Sequence, residues 1–197
     1  MATSVLNSPL GMFGSTPRSA LLADAAALMF DQLGPLHGLA LDDGELLRRS
    51  ATGVGFIHTM GSYSVLEHEL FELALADLAP RDASLVEAAA CLAVDRVALA
   101  GDDSRPMTAE GHRRLLWLAG VLRLADAIVG DGGGSIDGMY AAWTADVLYL
   151  EIDGARRPVE MLERVRSRSA ALEAAAGRRL VLTSSAARRS PVRTPAA

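Results

Sequence analysis

The sequence predicts a mainly α-helical fold with a small β-α-β appendage at its C-terminal end. Hydrophobic residues make up 50% of the 197 residues and aromatic residues only 5%, so the core must be built from Ala, Leu and Val, which suits close-packed helices. Apolar residues recur at helical spacing until Asp146, where the alternation typical of a strand begins. A chain of 20.7 kDa can bury one substantial core, so we expect one domain.

The first helix is predicted to begin at Pro17 and to end at about Leu33. Ser15 or Thr16 followed by proline is typical of a helix start, because proline is tolerated where the backbone N–H would be free anyway. Two glycines and a proline in residues 34–38 then stop the helix.

A second helix is predicted to begin at Asp42, followed by Asp43 and Glu45, since the helix dipole favours acidic residues at this end. It runs into residues 51–61, which contain three glycines. Each glycine costs about 1 kcal/mol relative to alanine in a helix. We therefore expect a bend or a close backbone approach in this segment.

Two more helices are predicted from capping boxes. In a capping box, the side chain of the residue before the helix accepts the backbone N–H of the residue three positions later, and the side chain of that later residue accepts the first residue's N–H. One box is Ser64 with Glu67, and the other is Ser84 with Glu87. Residues 80–82, which include a proline, should separate these helices.

The longest predicted helix covers residues 108–130, and the rest of the chain is expected to pack around it. Thr108 should cap its start, and Gly130 should close its last turn in a left-handed conformation. Its arginines lie off one apolar stripe, which predicts one buried and one charged face. The stripe consists of Leu115, Leu118, Ala119, Leu122, Ala125 and Val129.

Asp126 lies on or beside this stripe, where an unpaired carboxylate would cost several kcal/mol. It therefore needs a partner. We expect that partner to be free backbone N–H groups or an arginine such as Arg48 or Arg49.

The last third of the chain is predicted to contain two paired strands with a helix between them. The strands are residues 146–153 and 179–183, and residues 130–135 form a glycine-rich loop before them. The helix covers residues 159–176, with Val159, Leu162, Val165, Ser169 and Leu172 facing inward.

Charge and composition exclude several classes of protein. A net charge of -5 argues against a general nucleic-acid binder, and a single cysteine, Cys91, excludes an internal disulfide and is expected in the core. Neither a signal peptide nor a stretch of ~18 apolar residues is present, so no membrane span and a cytoplasmic location are expected. Residues 1–15 are predicted to be a flexible arm, and residues 184–197 a disordered, arginine-containing tail.

The order of these motifs resembles the C-terminal helical domain of the exopolyphosphatase and guanosine pentaphosphatase family, which is related to HD-type metal phosphohydrolases. The resemblance rests on residues 28–33, residues 35–38, residues 115–127 with their Leu-Arg-Leu-Ala-Asp-Ala core, and the closing strand, helix and Gly-Arg-Arg-Leu-Val-Leu. It implies an HD-like helical bundle over residues 16–183.

Two departures from the family imply a catalytically degenerate member. The family's large actin-like catalytic domain has no counterpart in these 197 residues. An HD enzyme also needs an adjacent His-Asp pair to bridge its metals, and counting back from His68 places Val54 and Gly55 there. Neither side chain can bind a metal, so we expect no catalytic residue, no metal and no cofactor.

The resemblance leaves a small set of polar positions. His37 is either a residual ligand or a histidine that bonds backbone near a helix end, and we favour the second reading. Arg48, Arg49 and Arg123 are candidates for contact with a phosphate, although for Arg48 and Arg49 we favour a solvated face. The residual HD-like positions are His37, His58, His68 and Asp126.

The leading functional hypothesis is a binding or regulatory module in polyphosphate or guanosine-phosphate metabolism, or a partner of a full-length homologue. One alternative is a metal-dependent phosphohydrolase with a site rebuilt from His37, His68 and Asp126, and another is a structural oligomerisation module. We expect weak binding of a phosphorylated small molecule or polyphosphate. We also expect a homodimer, because segments that carry Met12, Phe13 or Trp143 could be completed by a second copy.

Overall fold

A computed structural model describes residues 17–60, 75–95, 107–130, 136–154 and 158–185. These parts of the chain form seven helices and one three-stranded sheet, which confirms the mainly helical fold. The helices are α1 (Pro17–Gln32), α2 (Gly34–His37), α3 (Leu41–Met60), α4 (Pro80–Ala93), α5 (Ala109–Val129), α6 (Pro158–Ser167) and α7 (Ala170–Ala176). The strands are β1 (Gly138–Trp143), β2 (Val147–Asp153) and β3 (Arg179–Ser184).

Helix α5 lies at the centre of the fold and packs against α1, α4, α6 and α7. Because it has neighbours on several sides, it is buried almost all round, and the prediction of one charged face is wrong beyond its first two turns. Trp117, Leu124 and Ile128 lie off the predicted stripe and are buried nonetheless. Arg123 is the exception in this part of α5. Its side chain is half-buried and reaches Asp95, which follows the end of α4.

Both ends of α5 are close to where the sequence places them. The Thr108 hydroxyl accepts a hydrogen bond from the Gly111 N–H at 3.1 Å, which confirms the predicted cap. Gly130 follows the last turn with φ 57° and ψ -171°, so its φ is positive but its backbone is not left-handed helical as predicted. Its N–H still bonds the Asp126 carbonyl at 2.9 Å.

Helix α3 continues through the glycine segment to Met60, and the close approach predicted there occurs at Gly55. A Cβ at Gly55 would lie 2.7 Å from the Cβ of Ser19, so α1 and α3 meet at a distance that only glycine allows. At the start of α3, the Asp43 carboxylate reaches back to accept the Ala40 N–H at 3.0 Å, which is one half of a capping box.

Helix α4 begins earlier than its predicted capping box. Pro80 occupies its first turn and Ala79 precedes it, while the Ser84 hydroxyl donates to the Pro80 carbonyl inside the helix. The Ser84 box is therefore wrong, because the proline that was expected to break one helix instead begins the next. Cys91 is buried in the core as predicted. The Ser64 box lies outside the described residues.

The sheet has the order β1-β2-β3. Strands β2 and β3 are parallel, with Val147 opposite Arg179, which confirms the predicted pairing. Strand β1, which the sequence analysis missed, forms an antiparallel hairpin with β2. One face of the sheet packs on the core through the buried residues Met139, Leu148, Leu150 and Ile152.

The predicted single helix between β2 and β3 is two helices. Helix α6 ends at Ser167 and α7 begins at Ala170, and in the break the Arg168 N–H bonds the Val165 carbonyl at 3.1 Å. Val159, predicted to face inward, is 64% exposed at the start of α6.

None of the described helices is long and apolar enough to cross a membrane. The predicted arm at residues 1–15 lies outside the described part of the chain. So does most of the predicted tail, but Ser184, its first residue, is buried at the end of β3.

Candidate functional site

The most unusual side chain in the core is Asp126, a carboxylate that is only 3% exposed near the end of α5. Each of its oxygens accepts a hydrogen bond from a different arginine. Arg18 Nη2 donates to Oδ1 at 2.7 Å, and Arg168 Nη1 donates to Oδ2 at 2.9 Å. Asp126 thus joins the first turn of α1 and the break between α6 and α7 to the central helix. The expected partners, Arg48 and Arg49, are not the ones found here.

Two further contacts bring arginines to the same turn of α5. Arg18 Nη1 donates to the Gly130 carbonyl at 2.9 Å, and Arg164 Nε donates to the Ala127 carbonyl at 3.0 Å. Positive groups are favoured at this end of a helix, where the last carbonyls have no intrahelical partner. We call Arg18, Arg164 and Arg168 the arginine cluster.

Local structure explains how the arginine cluster forms. Arg164 lies in the last turn of α6. The break in the helix between α6 and α7 turns Arg168 toward Asp126. Gly130 leaves space for Arg164, because a Cβ at Gly130 would lie 2.6 Å from Arg164 Nη2. The signal that could have predicted part of this cluster is the spacing of Arg164 and Arg168, four apart on a predicted helix.

The arginines chosen from the sequence do not form one site. Arg49 makes a bidentate ion pair with Asp77, at 2.5 and 2.9 Å, and this contact raises the pKa of Arg49 and lowers that of Asp77. Arg48 is exposed and lies 3.8 Å from Glu45.

Arg123 takes a third carboxylate as its partner. It pairs with Asp95 at 2.5 Å and donates to the Leu92 carbonyl at 3.2 Å. Arg49 also contacts Glu45, at 3.4 Å, so Arg48 and Arg49 share one acidic residue. Arg123 pairs with Asp95 instead, so the three candidate phosphate ligands do not converge on one site among the described residues.

His37 is buried, and both of its ring nitrogens bond backbone groups. Nδ1 accepts the Leu39 N–H at 2.9 Å, so Nε2 carries the proton and donates to the Phe30 carbonyl at 2.9 Å. The ring also lies 4.2 Å from the Phe30 ring and 5.7 Å from the Trp117 ring, measured between centroids. Burial lowers the pKa of His37, which favours the neutral form. This is the backbone-bonding arrangement that the sequence analysis favoured.

The other residual HD-like positions cannot be placed. His58 belongs to helix α3, but its side chain is outside the described part of the structure, and His68 lies outside it altogether. In the ranges that the structure does describe, no group of three or more His, Cys, Asp or Glu side chains could hold a metal ion.

A pocket of about 600 Å³ lies where the start of α3 meets α4 and the start of α5. Five of its lining residues are acidic, against one arginine: Asp42, Asp43, Glu45, Asp82 and Glu110. Its arginine, Arg114, bonds the buried carboxylate of Asp43 through Nε at 2.8 Å. The negative charge of this pocket opposes a phosphorylated ligand.

Comparison with known proteins assigns no family to the chain. No family model matches its sequence, and no curated protein matches it either. The site is a buried carboxylate held between two arginines, and a third arginine bonds the carbonyl of the next residue.

Proposed function

We propose that the chain is a non-catalytic binding module, related to the HD-like C-terminal domain of exopolyphosphatases and guanosine pentaphosphatases. The motifs around Asp126 support the relationship. The observation that carries the functional part is the pair of arginines on the Asp126 carboxylate, at 2.7 and 2.9 Å. In the related enzymes, the resemblance implies that this position supplies the last metal ligand.

An arginine on each carboxylate oxygen disfavours a metal at Asp126. A divalent cation would need the same lone pairs and would lie within a few ångströms of two guanidinium groups that cannot lose their charge. His37 offers no replacement, because its one unprotonated nitrogen already accepts the Leu39 N–H. A phosphohydrolase rebuilt from His37, His68 and Asp126 is therefore the weaker hypothesis.

The test is an elemental analysis of the purified protein, combined with a hydrolysis screen on polyphosphate, guanosine pentaphosphate and simple phosphate esters. We expect no stoichiometric transition metal and no hydrolysis. One equivalent of iron, manganese or zinc per chain, with an activity that His68→Ala removes, would contradict the proposal. His112→Ala, at an exposed histidine on α5, is the matched control for that loss.

A non-catalytic module functions by binding a partner. The partner can be a full-length homologue or a second copy of the chain. A second copy is favoured by the outer face of the sheet. There, Tyr140 is 65% and Tyr149 44% exposed. Charged residues of both signs, Glu151 and Arg179, lie on the same face, so two copies of it would not repel each other strongly.

A further inference from the structure

We propose that the His37 ring is a pH-sensitive contact, which holds the Leu39 backbone while the ring is neutral and releases it once the ring is protonated. Gly38 and Leu39 form part of the wall of the pocket between α3, α4 and α5, so their release opens that wall. This device does not depend on the proposed binding function.

The segment that the ring controls is residues 38–40, which connect α2 to α3 and belong to neither helix. Two of its backbone N–H groups are bound by side chains. Nδ1 of His37 accepts the Leu39 N–H at 2.9 Å, and the Asp43 carboxylate accepts the Ala40 N–H at 3.0 Å. The position of Leu39 therefore depends on the state of one histidine ring.

Protonation affects the two bonds of the ring differently. A ring nitrogen accepts a hydrogen bond only while it carries no proton, and both nitrogens of a protonated histidine are donors. The bond from Nε2 to the Phe30 carbonyl is kept, because the carbonyl still accepts. The proton on Nδ1, in contrast, faces the Leu39 N–H across 2.9 Å, so two donors oppose each other. The ring stays on the end of α1, and Leu39 has to move away.

The groups around the ring act on its pKa in both directions. Burial has the largest effect and lowers the pKa of His37, while the bond to the Phe30 carbonyl raises it. Among the charged groups, Asp43 on α3 and Asp31 on α1 raise this pKa, and Arg113 on α5 lowers it. The net result is a lowered pKa, so the closed arrangement binds a proton less strongly than a ring exposed to water does.

Lower pH should therefore favour the opened form, in which Leu39 has left the ring. The opened ring has the ordinary pKa of 6.5, and the closed ring has a lower one. At pH 5.5, protonated rings in the opened form outnumber neutral ones by about ten to one. The opening equilibrium can thus rise by at most about tenfold between pH 7.5 and pH 5.5.

Neighbouring contacts confine the movement to residues 38–39. On one side, the His37 carbonyl accepts a hydrogen bond from Arg113 Nη1 at 2.6 Å. On the other side, Asp43 is buried and holds the Ala40 N–H. Neither contact involves Nδ1 of the ring, so both remain after protonation. We therefore expect a local opening of the pocket wall, with α3 and α5 intact.

The experiment is amide hydrogen exchange of the full chain, followed by NMR at pH 7.5 and pH 5.5 and corrected for the intrinsic exchange rate at each pH. We expect the protection of the Leu39 amide to fall by more than about threefold at pH 5.5, up to the limit of about tenfold. His37→Gln should show equal protection at the two pH values. His112→Gln, at an exposed histidine of α5, is the matched control and should respond as the wild type does.

Low concentrations of urea distinguish this local opening from unfolding of the whole protein. A local opening exposes little surface, so urea should leave the exchange of Leu39 unchanged. The Leu122 amide, in the buried part of α5, should exchange faster as urea is added. A parallel response of the two amides to urea would overturn the proposal, because Leu39 would then exchange only through unfolding.

A pH-independent Leu39 amide in the wild type would also overturn it, as would a full pH response in His37→Gln or a lost response in His112→Gln. If His37→Gln does not fold, the wild type alone decides. The ring signals of His37 and His112 can be titrated by NMR, and the change in Leu39 exchange should follow the titration of His37. If it follows the titration of His112, or of neither ring, the proposal is wrong.

Discussion

Asp126 and Arg18 are 108 positions apart in the chain, and their side chains meet at 2.7 Å. Arg168, 42 positions away on the other side, bonds the second oxygen of the same carboxylate. One buried charge therefore ties the first helix and the C-terminal helices to the centre of the fold. Breaking a buried ion pair leaves the remaining charge without compensation, which usually costs more than the pair contributes when intact.

The first prediction follows from this ion pair. Asp126→Asn keeps the size of the side chain but removes the charge that both arginines face. Since Arg18 and Arg168 are partly exposed and can turn to water, we expect a loss of about 2 to 3 kcal/mol, below the range for fully buried pairs. The measurement is the free energy of unfolding in urea.

Asp24→Asn is the control for that measurement. Asp24 is exposed on α1, so its substitution should change the free energy of unfolding by less than about 0.5 kcal/mol. Equal effects of Asp24→Asn and Asp126→Asn would show that the ion pair has no special role in stability.

The second prediction concerns pH and His37. Burial holds the pKa of His37 below its ordinary value of 6.5, so the unfolded chain takes up a proton at a higher pH than the folded protein does. The stability that neutral His37 contributes is complete above pH 6.5 and is lost as the pH falls toward the folded pKa. Unfolding in urea at pH 7.5 and 5.5 should therefore show a lower free energy at pH 5.5.

His37→Gln should make that difference between the two pH values smaller, because the variant has no group to protonate at this position. His112→Gln removes an exposed histidine from α5 and serves as the control. If His37→Gln retains the full pH dependence of the wild type, another group is responsible for it.

The third prediction compares two helical glycines. A Cβ at Gly120 would lie 3.0 Å from both the N and the Cα of Leu172, so α5 and α7 touch through their backbones. Gly120→Ala should cost about 1 to 3 kcal/mol from overpacking, although alanine is the better helix former. At Gly44 the nearest atom is the Phe30 ring at 3.5 Å, an ordinary contact. Gly44→Ala should therefore be neutral or stabilise by up to about 1 kcal/mol.

Thermal and urea unfolding of the two glycine variants provide the measurement, and each serves as the control for the other. Equal changes in stability would mean that the contact between α5 and α7 relaxes at no cost.

The features that could be predicted from sequence are those that local chemistry determines. Pro17 and Thr108 mark helix starts through backbone groups within one turn, and both starts are found where expected. The need of Asp126 for a partner also followed from its position on an apolar helix. Which arginine would meet it did not, because that depends on how distant helices pack.

Two misses have the same physical origin. The break at Arg168 interrupts a pattern that is helical on both sides, and only the approach of Arg168 to Asp126 gives the break a role. Strand β1 contains glycine and alanine, which have low strand propensity, and its pairing with β2 determines its conformation. Contacts between residues that are distant in the chain determine both features. A local sequence pattern carries no information about such contacts.

The last prediction is that the protein is a homodimer formed through the outer face of the sheet. Along β2, Leu148 and Leu150 are buried while Tyr149 between them is 44% exposed, so the tyrosine stands on the face that the core does not cover. Tyr140 on β1 and Val181 on β3 lie on the same face. Trp143, predicted from the sequence for such a contact, is 38% exposed at the end of β1, but it lies opposite Leu148 and therefore on the other face of the sheet.

Burying this face against its copy in a two-fold arrangement would place tyrosines at the centre and charged side chains at the edge, as in many interfaces. Light scattering at micromolar concentration should therefore give a mass near twice 20.7 kDa. Tyr149→Arg should shift that mass to the monomer without lowering the melting temperature of the fold, because the side chain faces outward. Val159→Arg, at an exposed apolar residue of α6, should leave the dimer intact. A wild-type mass near 20.7 kDa, or a dimer that survives Tyr149→Arg, would rule out this interface.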